Sequence, residues 1–405
     1  MSPFLMDKSI VLGISGGIAA YKSADLLRRI TQMGASVRVI MTENAKRFVG
    51  SLTFEALSGH PVCSTLFEKD ANTSIQHIEW AQTADAVVIA PATANIIAKL
   101  TCGIADDALS TFMLAVSTPR IICPSMNSTM YLNEAVQQNL QTLQQRGYQV
   151  VSPGSGQLAC GTSGPGRLAE PWEILDELVM MLTPKDLAGK HILVTAGPTR
   201  EYLDPVRFIS NPSSGKMGFA LAAAAAQRGA AVTLISGPSS LSDPPYVQVI
   251  RVVSAQEMAD AVLESFEQAD AVIKTAAVSD YRPQTRSPHK IKKGSGEIVL
   301  TLEKTLDILN ELGTRKRRQI LVGFAAETQN MPAYAREKLR RKNLDMIVGN
   351  LVSEKGAGFA TETNKVTLFY QDGHSEPLSL MPKDAVSHVI LDRVATLLTQ
   401  RPEAS

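Results

Sequence analysis

Residues 9–42, SIVLGISGGIAAYKSADLLRRITQMGASVRVIMT, open with a run of aliphatic residues and turn through Ser-Gly-Gly. They continue with apolar positions at helical spacing as far as Gly34, before a second apolar run. A short continuous apolar run is the pattern of a strand covered on both faces, and apolar residues three and four apart line one face of a helix, so the stretch predicts a βαβ unit. The plan returns at 190–237: KHILVTAG predicts a strand, GKMGFALAAAAAQRG a helix closed at Gly229, and AAVTLISG a second strand. Two such openings about 180 residues apart predict an α/β protein of two doubly wound, Rossmann-like domains with mainly parallel sheets, rather than one long sheet. The join is expected within LTPKDLAGK, 182–190, where Pro184 and Gly189 punctuate a polar run, giving domains 1–188 and 189–405.

Shorter buried runs follow in each half. ADAVVIAPAT (84–93) and PRIICPSMN (119–127) in the first, and ADAVIKTAAVSD (269–280) and QILVGFAAET (319–328) in the second, end in small or polar residues. Open α/β sheets bind ligands outside the carboxyl ends of their strands, so candidate site residues are sought there. LDMIVGN (344–350) adds a further strand, NKVTLFY (364–370) is expected as an edge strand, and a helix is expected near 383–399.

Composition narrows the picture mainly by exclusion. A chain of 405 residues, 44% hydrophobic and 20% charged, suits a soluble protein with two or three domains at roughly 150 residues each. A net charge of +1 gives no global field toward nucleic acid or an anionic membrane. Cys63, Cys102, Cys123 and Cys160 show neither CxxC spacing nor the density of a secreted scaffold, which points to a reducing compartment and away from structural zinc. The first residues lack a secretory leader pattern and no apolar run is long enough to span a membrane, so the expectation is a cytoplasmic protein without membrane or nucleic-acid partners.

Candidate chemistry gathers at a few places. GISGGIAAYK sets Ser15, Gly16 and Gly17 at a strand-to-helix turn, where backbone amides and the helix dipole can hold a phosphate; a tight turn without a ligand is the plainer reading. The turn is not GxGxxG, and no acid stands near Ile40 to hold a ribose hydroxyl, so a mononucleotide such as FMN suits it better than NAD. His77 falls near a helix start with Glu79 and Trp80 close by, as an acid/base group or a surface residue. Asn127 follows a buried strand, either to bind a substrate group or to cap the next helix. Cys160 lies in the glycine-rich stretch GQLACGTSGPGR (156–167), a poor place to pack a structural thiol. In the second half, RFISNPSSGKMG ends in a small-polar run that opens a helix, a plausible phosphate cradle. PHKIKKGSGE (288–297) puts three lysines in a glycine-ended loop, either a solvated charge run or a loop that closes over phosphates.

The trio GISGGIAAYK, PSMNSTMY and LACGTSGPGR, with a histidine before IEWA, resembles the flavoprotein cysteine decarboxylases. TAGPTREYLDPVRFISNPSSGKMG (195–218) resembles the signature of phosphopantothenate–cysteine ligases, and the order of the halves is that of the bacterial bifunctional decarboxylase/ligase family of coenzyme A synthesis, over essentially the whole chain. The resemblance implies a flavodoxin-like FMN domain followed by a nucleotide-binding ligase domain.

For the first half it implies oxidation of the substrate's cysteinyl thiol to a thioaldehyde, loss of carbon dioxide, and reduction and protonation of the resulting ene-thiol. His77 is then the catalytic acid/base, Asn127 fixes the substrate carboxylate, and Cys160, on a flap, donates the last proton, its thiol biased by Arg167. Ser15, Gly16, Gly17, Ile18, Thr42, Thr93, Asn95 and Ser110 map to FMN. Met130 matches a family methionine near the substrate, with a core methionine as the other reading. Gln76 and Gln82 depart from the family pattern.

For the second half it implies that 4′-phosphopantothenate attacks CTP to give an acyl-cytidylate and pyrophosphate, and that the amine of L-cysteine then displaces CMP. Asn211 aligns with the asparagine needed for the acyl intermediate and Lys290 with the loop lysine. Lys274, Thr275, Ala276, Asp280, Leu306, Asp307, Ile308, Leu309, Phe324, Lys338 and Lys342 fall on CTP positions, Asp280 also as a Mg2+ ligand, and Leu306 stands where relatives often have proline. Lys338 and Lys342, four apart, share a helix face. The resemblance also implies trimeric contacts between decarboxylase halves and dimeric contacts between ligase halves, together a dodecamer. A non-catalytic FMN-binding regulator is the alternative, separated by the full set of His77, Asn127 and Cys160 beside a complete ligase half; an NAD oxidoreductase lacks its fingerprint.

Overall fold

A computed structural model describes residues 4–65, 76–158, 161, 163–292, 297–327, 330–351 and 361–401, with the backbone alone at 76, 77, 326, 327 and 351. The chain divides into two units, residues 1–183 and 184–405. In the first, β1 (Ser9–Ile14), β2 (Ser36–Met41), β3 (Ala86–Ala92), β4 (Arg120–Pro124) and β5 (Tyr148–Val150) form one sheet of order β2-β1-β3-β4-β5, every neighbouring pair parallel. This is a doubly wound order whose direction switches between β1 and β3. Side chains alternate between faces, so Ile10, Leu12 and Ile14 enter one core while Val11 enters the other. The first core is covered by α1 (Ala20–Gln32), α3 (Ser51–Ser58) and α9 (Pro171–Leu182), and α2 (Glu43–Lys46) is a single turn after β2. The second is covered by α4 (Gln76–Thr83), α5 (Ala94–Cys102), α6 (Ala108–Ala115) and α8 (Glu134–Gln145), with α7 (Ser128–Tyr131) a short turn before α8. Helix α1 buries Ala20, Ser23, Leu26, Leu27 and Ile30 on one stripe and ends before Gly34, whose φ of +91° suits only glycine. Pro91 lies in a central strand, which is tolerated because the β3–β4 ladder shifts register between Ile89 and Ala92. A short hairpin, β6 (Gly154–Gln157) with β7 (Ser163–Arg167), precedes α9.

In the second unit β8 (His191–Ala196), β11 (Ala231–Ser236), β12 (Gln248–Arg251), β13 (Ala271–Lys274), β16 (Ile320–Glu327) and β17 (Met346–Leu351) are parallel neighbours. With β19 (Val366–Tyr370) and β20 (Ser375–Pro377) the order is β12-β11-β8-β13-β16-β17-β19-β20. The six parallel strands follow the 3-2-1-4-5-6 Rossmann sequence, with the switch between β8 and β13. One face packs on α10 (Lys216–Gln227) and α14 (Lys383–Gln400), the other on α11 (Ala255–Phe266), α12 (Ile308–Arg315) and α13 (Met331–Arg341). Small antiparallel pairs lie outside the sheet: β9 (Arg200–Tyr202) with β10 (Phe208–Ser210), β14 (Tyr281–Pro283) with β15 (Leu302–Lys304), and β18 (Thr363–Asn364) with β21 (Met381–Pro382).

The expected edge strand at 364–370 is not the edge. A turn through Gly373, φ +90°, brings β20 back along β19, so β19 is paired on both sides. The two compact units divide between Thr183 and Pro184, and residues 185–187 pack with the second unit: Leu187 is buried in its core and Lys185 Nζ donates to the Gln227 carbonyl at 2.6 Å. No helix among the described residues is long and apolar enough to cross a membrane.

Candidate active sites

The carboxyl ends of β1, β2, β3 and β4 deliver Ser15, Thr42, Thr93 and Ser125 to one rim, where a cleft of about 1200 Å³ opens. Each rim residue has a local reason for its place. The Ser15 hydroxyl, 2% exposed, donates to the Pro91 carbonyl at 2.7 Å and accepts the Thr93 amide at 2.9 Å. Thr42, Thr93 and Asn127 cap α2, α5 and α7, accepting the amides of Ala45, Ile96 and Thr129. Gly16 must be glycine because a Cβ there would lie 2.4 Å from Cβ of Asn44. The amides of Gly16, Gly17 and Ile18 find no hydrogen-bond partner among the described residues, and α1 starts without a side-chain cap. Those amides are donors for an anion.

Of the residues mapped to FMN, Ser15, Gly16, Gly17, Ile18, Thr42, Thr93 and Asn95 line this cleft, together with Asn127. Ser110 does not: it is buried, and it exchanges hydrogen bonds with Asp107 in the capping box of α6, which puts Asp107 rather than Ser110 at the cleft wall. Met130 is 49% exposed and lines the cleft, which removes the core reading. The backbone of His77 is in the first turn of α4, but its side chain and all of Cys160 lie outside the described residues. The hairpin that flanks Cys160 is seated on the Asn127 segment. Gly166, φ +131°, gives its carbonyl to the Met126 amide at 2.9 Å, and a Cβ on it would lie 2.2 Å from the Met126 oxygen. Arg167 follows at the cleft, 3.9 Å from Glu170. Two lysines that sequence reading missed also line it: Lys22, paired with Glu170 at 2.7 Å, and Lys99, paired with Asp106 and Asp107.

In the second unit a cleft of about 330 Å³ lies at the switch between β8 and β13. Thr275 locks the switch, its hydroxyl donating to the Thr195 carbonyl at 2.6 Å, while the Ala276 amide donates to the Thr195 hydroxyl at 3.2 Å. Helix α10 can approach only because Gly218 lacks a side chain; a Cβ there would lie 2.5 Å from both Ala196 Cβ and Thr275 Oγ1. Asn211, Lys274, Thr275, Ala276 and Phe324 line the cleft, beside Ser213 and Gly215 of the small-polar loop. Asn211 is held by a hydrogen bond from Nδ2 to the Ala277 carbonyl at 3.1 Å.

Beside the cleft, Lys342 pairs with Asp307 at 2.8 Å, and Asp307 caps α12. Burial pushes the Lys274 ammonium down to a pKa of about 8, with Lys342 and Lys338 adding to the fall and Asp307 and Asp280 opposing it. The fold thus draws Lys274, Asp280, Asp307, Lys338 and Lys342 into one electrostatic neighbourhood. Ile308 and Leu309 have their side chains in the core, so only their backbone can face a ligand, whereas Leu306 is exposed. Lys290 is exposed and is not part of the cleft wall. Its neighbour Ile291 is tied down by Asp204, which sequence reading missed. The buried Asp204 carboxylate accepts the amides of Val206, Arg207 and Ile291 and the Arg207 guanidinium, at 2.7–3.1 Å. Burial acts to raise its pKa, but these donors outweigh it and bring the pKa to about 2. Among the described residues no group of three or more His, Cys, Asp or Glu side chains could hold a metal ion.

Residues 5–183 match the family model described as flavoprotein, and residues 187–398 that of the DNA/pantothenate metabolism flavoprotein C-terminal domain. The chain is 51% identical over 405 residues to the coenzyme A biosynthesis bifunctional protein CoaBC of Bacillus subtilis (strain 168), covering 99% of this chain and 100% of that one. It is 48% identical over 397 residues to the protein of that name from Escherichia coli (strain K12), covering 97% and 98%. A crystal structure of the C-terminal domain of a CoaBC protein, 46% identical, covers 54% of this chain and 100% of that chain, with a TM-score of 0.47.

Proposed function

The chain belongs to the family of coenzyme A biosynthesis bifunctional proteins, and from that premise we propose how its two clefts divide the work. The enzyme catalyses two consecutive steps. The second unit joins L-cysteine to 4′-phosphopantothenate with CTP, releasing pyrophosphate and CMP, and the first decarboxylates the resulting phosphopantothenoylcysteine to 4′-phosphopantetheine. The observation that carries this division is that each sheet has its own cleft at its own switch point.

In the first cleft the residues fit FMN: the Gly16–Ile18 amides, without a partner among the described residues, suit its phosphate, and the polar rim of Ser15, Thr42, Thr93 and Asn95 suits its polar edge. The chemistry that FMN would supply, held by these residues, is reversible two-electron oxidation and reduction at the sulfur-bearing end of the substrate. Around it, Asn127, which caps α7 through Oδ1, orients the substrate carboxylate. His77 moves protons at the ring nitrogens, and Cys160 Sγ delivers the last proton to the product carbon, with Arg167 favouring the thiolate left behind.

In the second cleft the Asn211–Gly215 loop receives the triphosphate, and Asn211 stabilises the acyl-cytidylate. Lys290 closes from the loop that Asp204 anchors and neutralises charge on the departing pyrophosphate. Lys274–Ala276, Asp280, the 306–309 segment, Phe324, Lys338 and Lys342 surround the nucleotide. Asp280 is the protein ligand assigned to Mg2+; one carboxylate with triphosphate oxygens and water suits that ion. Trimeric contacts in the first unit, dimeric contacts in the second, a dodecamer and a cytoplasmic location complete the reading. The test is to supply the purified protein with 4′-phosphopantothenate, cysteine, CTP and magnesium and follow 4′-phosphopantetheine, carbon dioxide, CMP and pyrophosphate. Absence of all four products from flavin-loaded protein rejects it.

A further inference from the structure

Asn364 ends β18 on the wall of the second cleft, yet the residue is almost wholly buried, 4% exposed. One end of its carboxamide is fixed by the chain itself, because Oδ1 accepts the Lys365 amide at 3.0 Å. The donor end, Nδ2, meets only the Met217 thioether among the described residues, at 3.9 Å. A thioether is a weak acceptor, and buried amide donors are ordinarily satisfied by oxygen. The cleft wall therefore carries a buried donor that the described residues leave without an oxygen.

The sheet sets where that donor stands. Asn364 lies two residues before Val366, which pairs with Asn350 in the antiparallel β17–β19 ladder, so it joins the rim formed by the carboxyl ends of the parallel strands. In the sheet order β19 is three strands from β13, roughly 14 Å along that rim. The cleft runs the whole way: Thr275 after β13, Phe324 of β16, Asn350 of β17 and Asn364 all line it. Lys274–Ala276 and Phe324, which surround the nucleotide in the reading above, are at the β13 and β16 end. Met217, against which Asn364 packs, follows two residues after Gly215, the end of the loop that receives the triphosphate.

We propose that Asn364 is a nucleotide-binding residue of this cleft, its Nδ2 donating to an oxygen of the terminal phosphates of CTP. The proposal rests on the nucleotide reading of the second cleft and adds to it a side chain 147 positions from its neighbour Met217. Binding exchanges a weak contact with sulfur for a charge-assisted hydrogen bond to a phosphate oxygen. The Lys365 amide keeps its acceptor throughout, so the carboxamide is already turned the right way before the ligand arrives.

The test is titration calorimetry on the full chain with CTP, CMP and 4′-phosphopantothenate as separate probes. Asn364→Ala is expected to weaken CTP binding roughly tenfold, the scale of a lost hydrogen bond to a charged group, with CMP and 4′-phosphopantothenate bound as in wild type. Asn364→Asp keeps an oxygen for the Lys365 amide but sets a carboxylate against the phosphates, and is expected to weaken CTP further than alanine does. CTP affinity equal to wild type in either folded variant overturns the proposal. An equal loss for CTP and CMP also overturns it, since the contact then lies elsewhere on the nucleotide. So does a loss confined to 4′-phosphopantothenate, whose own phosphate is the other source of such an oxygen. Should Asn364→Ala fail to fold, Asn364→Asp decides by the same comparison. Wild-type protein that binds neither CTP nor CMP removes the nucleotide reading and the proposal with it, whereas CTP binding that the variants share removes the proposal alone.

Discussion

The Ser15 hydroxyl and the Thr93 amide meet at 2.9 Å across the switch point of the first sheet, where β1 and β3 carry the chain to opposite faces. One buried hydroxyl ties together two walls of the cleft, since it also donates to the Pro91 carbonyl. Ser15→Ala strands the Thr93 amide and leaves the Pro91 carbonyl with the Ser15 amide as its one remaining donor among these contacts. We expect it to destabilise the first unit by about 1–3 kcal/mol and to lower the flavin retained through purification. Flavin content and denaturation midpoint equal to wild type reject the clamp.

Gly166→Ala is expected to cut decarboxylation at least roughly tenfold, because a Cβ cannot coexist with the Met126 oxygen and the φ of +131° is strained for alanine. Ligation, carried out in the other unit, should continue. The pair of rates, measured with preformed phosphopantothenoylcysteine and with CTP-dependent pyrophosphate release, separates a local effect from general unfolding.

Cys160→Ser is expected to keep flavin and decarboxylate its substrate, yet to stall before the final protonation, so that an oxidised enethiol product accumulates. Mass spectrometry of the product pool reads this directly. Full yield of 4′-phosphopantetheine rejects the role of Cys160.

Asp204→Asn removes the charge that gathers Val206, Arg207 and Ile291. Ligation should slow while CTP still binds, because the base of the Lys290 loop is loosened rather than the cleft. The carboxylate also fixes a pH signature. Its folded pKa, about 2, lies below its ordinary value of 3.8, so its contribution to stability is complete above about pH 4 and is lost as pH falls toward 2. Acid titrations of the two proteins should therefore converge in that window.

Lys274 is charged below about pH 8 and neutral above it. The ratio kcat/KM for CTP should fall as pH rises through about 8, since this ratio reports ionisations of the free enzyme. Lys274→Met should show a low, flat profile over the same range. A wild-type alkaline limb that persists unchanged in the variant assigns it to another group.

Much of the architecture is legible in local pattern. The continuous apolar runs at 9–14, 191–196 and 231–236 become strands covered on both faces, and the helices after β1 and near 383–399 form as their spacing predicts. Strand order is not legible, because parallel neighbours are chosen by packing between segments far apart in sequence. Non-local pairing also hides Lys22 and Lys99. On sequence each is a polar position of an amphipathic helix, and Lys22 acquires its meaning from Glu170, 148 residues away. Ser110 could have been read differently: Asp107 three residues earlier, before an apolar run, is a cap pattern that consumes its hydroxyl. Asn127 carried two readings, and the fold satisfies the capping one while still placing it in the cleft. Asp204 is hidden because an aspartate before proline reads as an ordinary turn, and its partner Ile291 lies in another loop.

The seat of Gly166 on the Met126 carbonyl has a consequence for engineering. The hairpin and the 125–128 segment interlock backbone to backbone at Gly166, and a Cβ on Gly164 would lie 2.6 Å from the Ser128 hydroxyl. Grafting a foreign flap to alter substrate range will fail if the flap travels alone, because Gly166 is fitted to one particular stretch of main chain and Gly164 to the side chain of Ser128. The exchangeable part is discontinuous, residues 125–128 together with 154–167, and libraries that vary the two segments jointly are the ones to build.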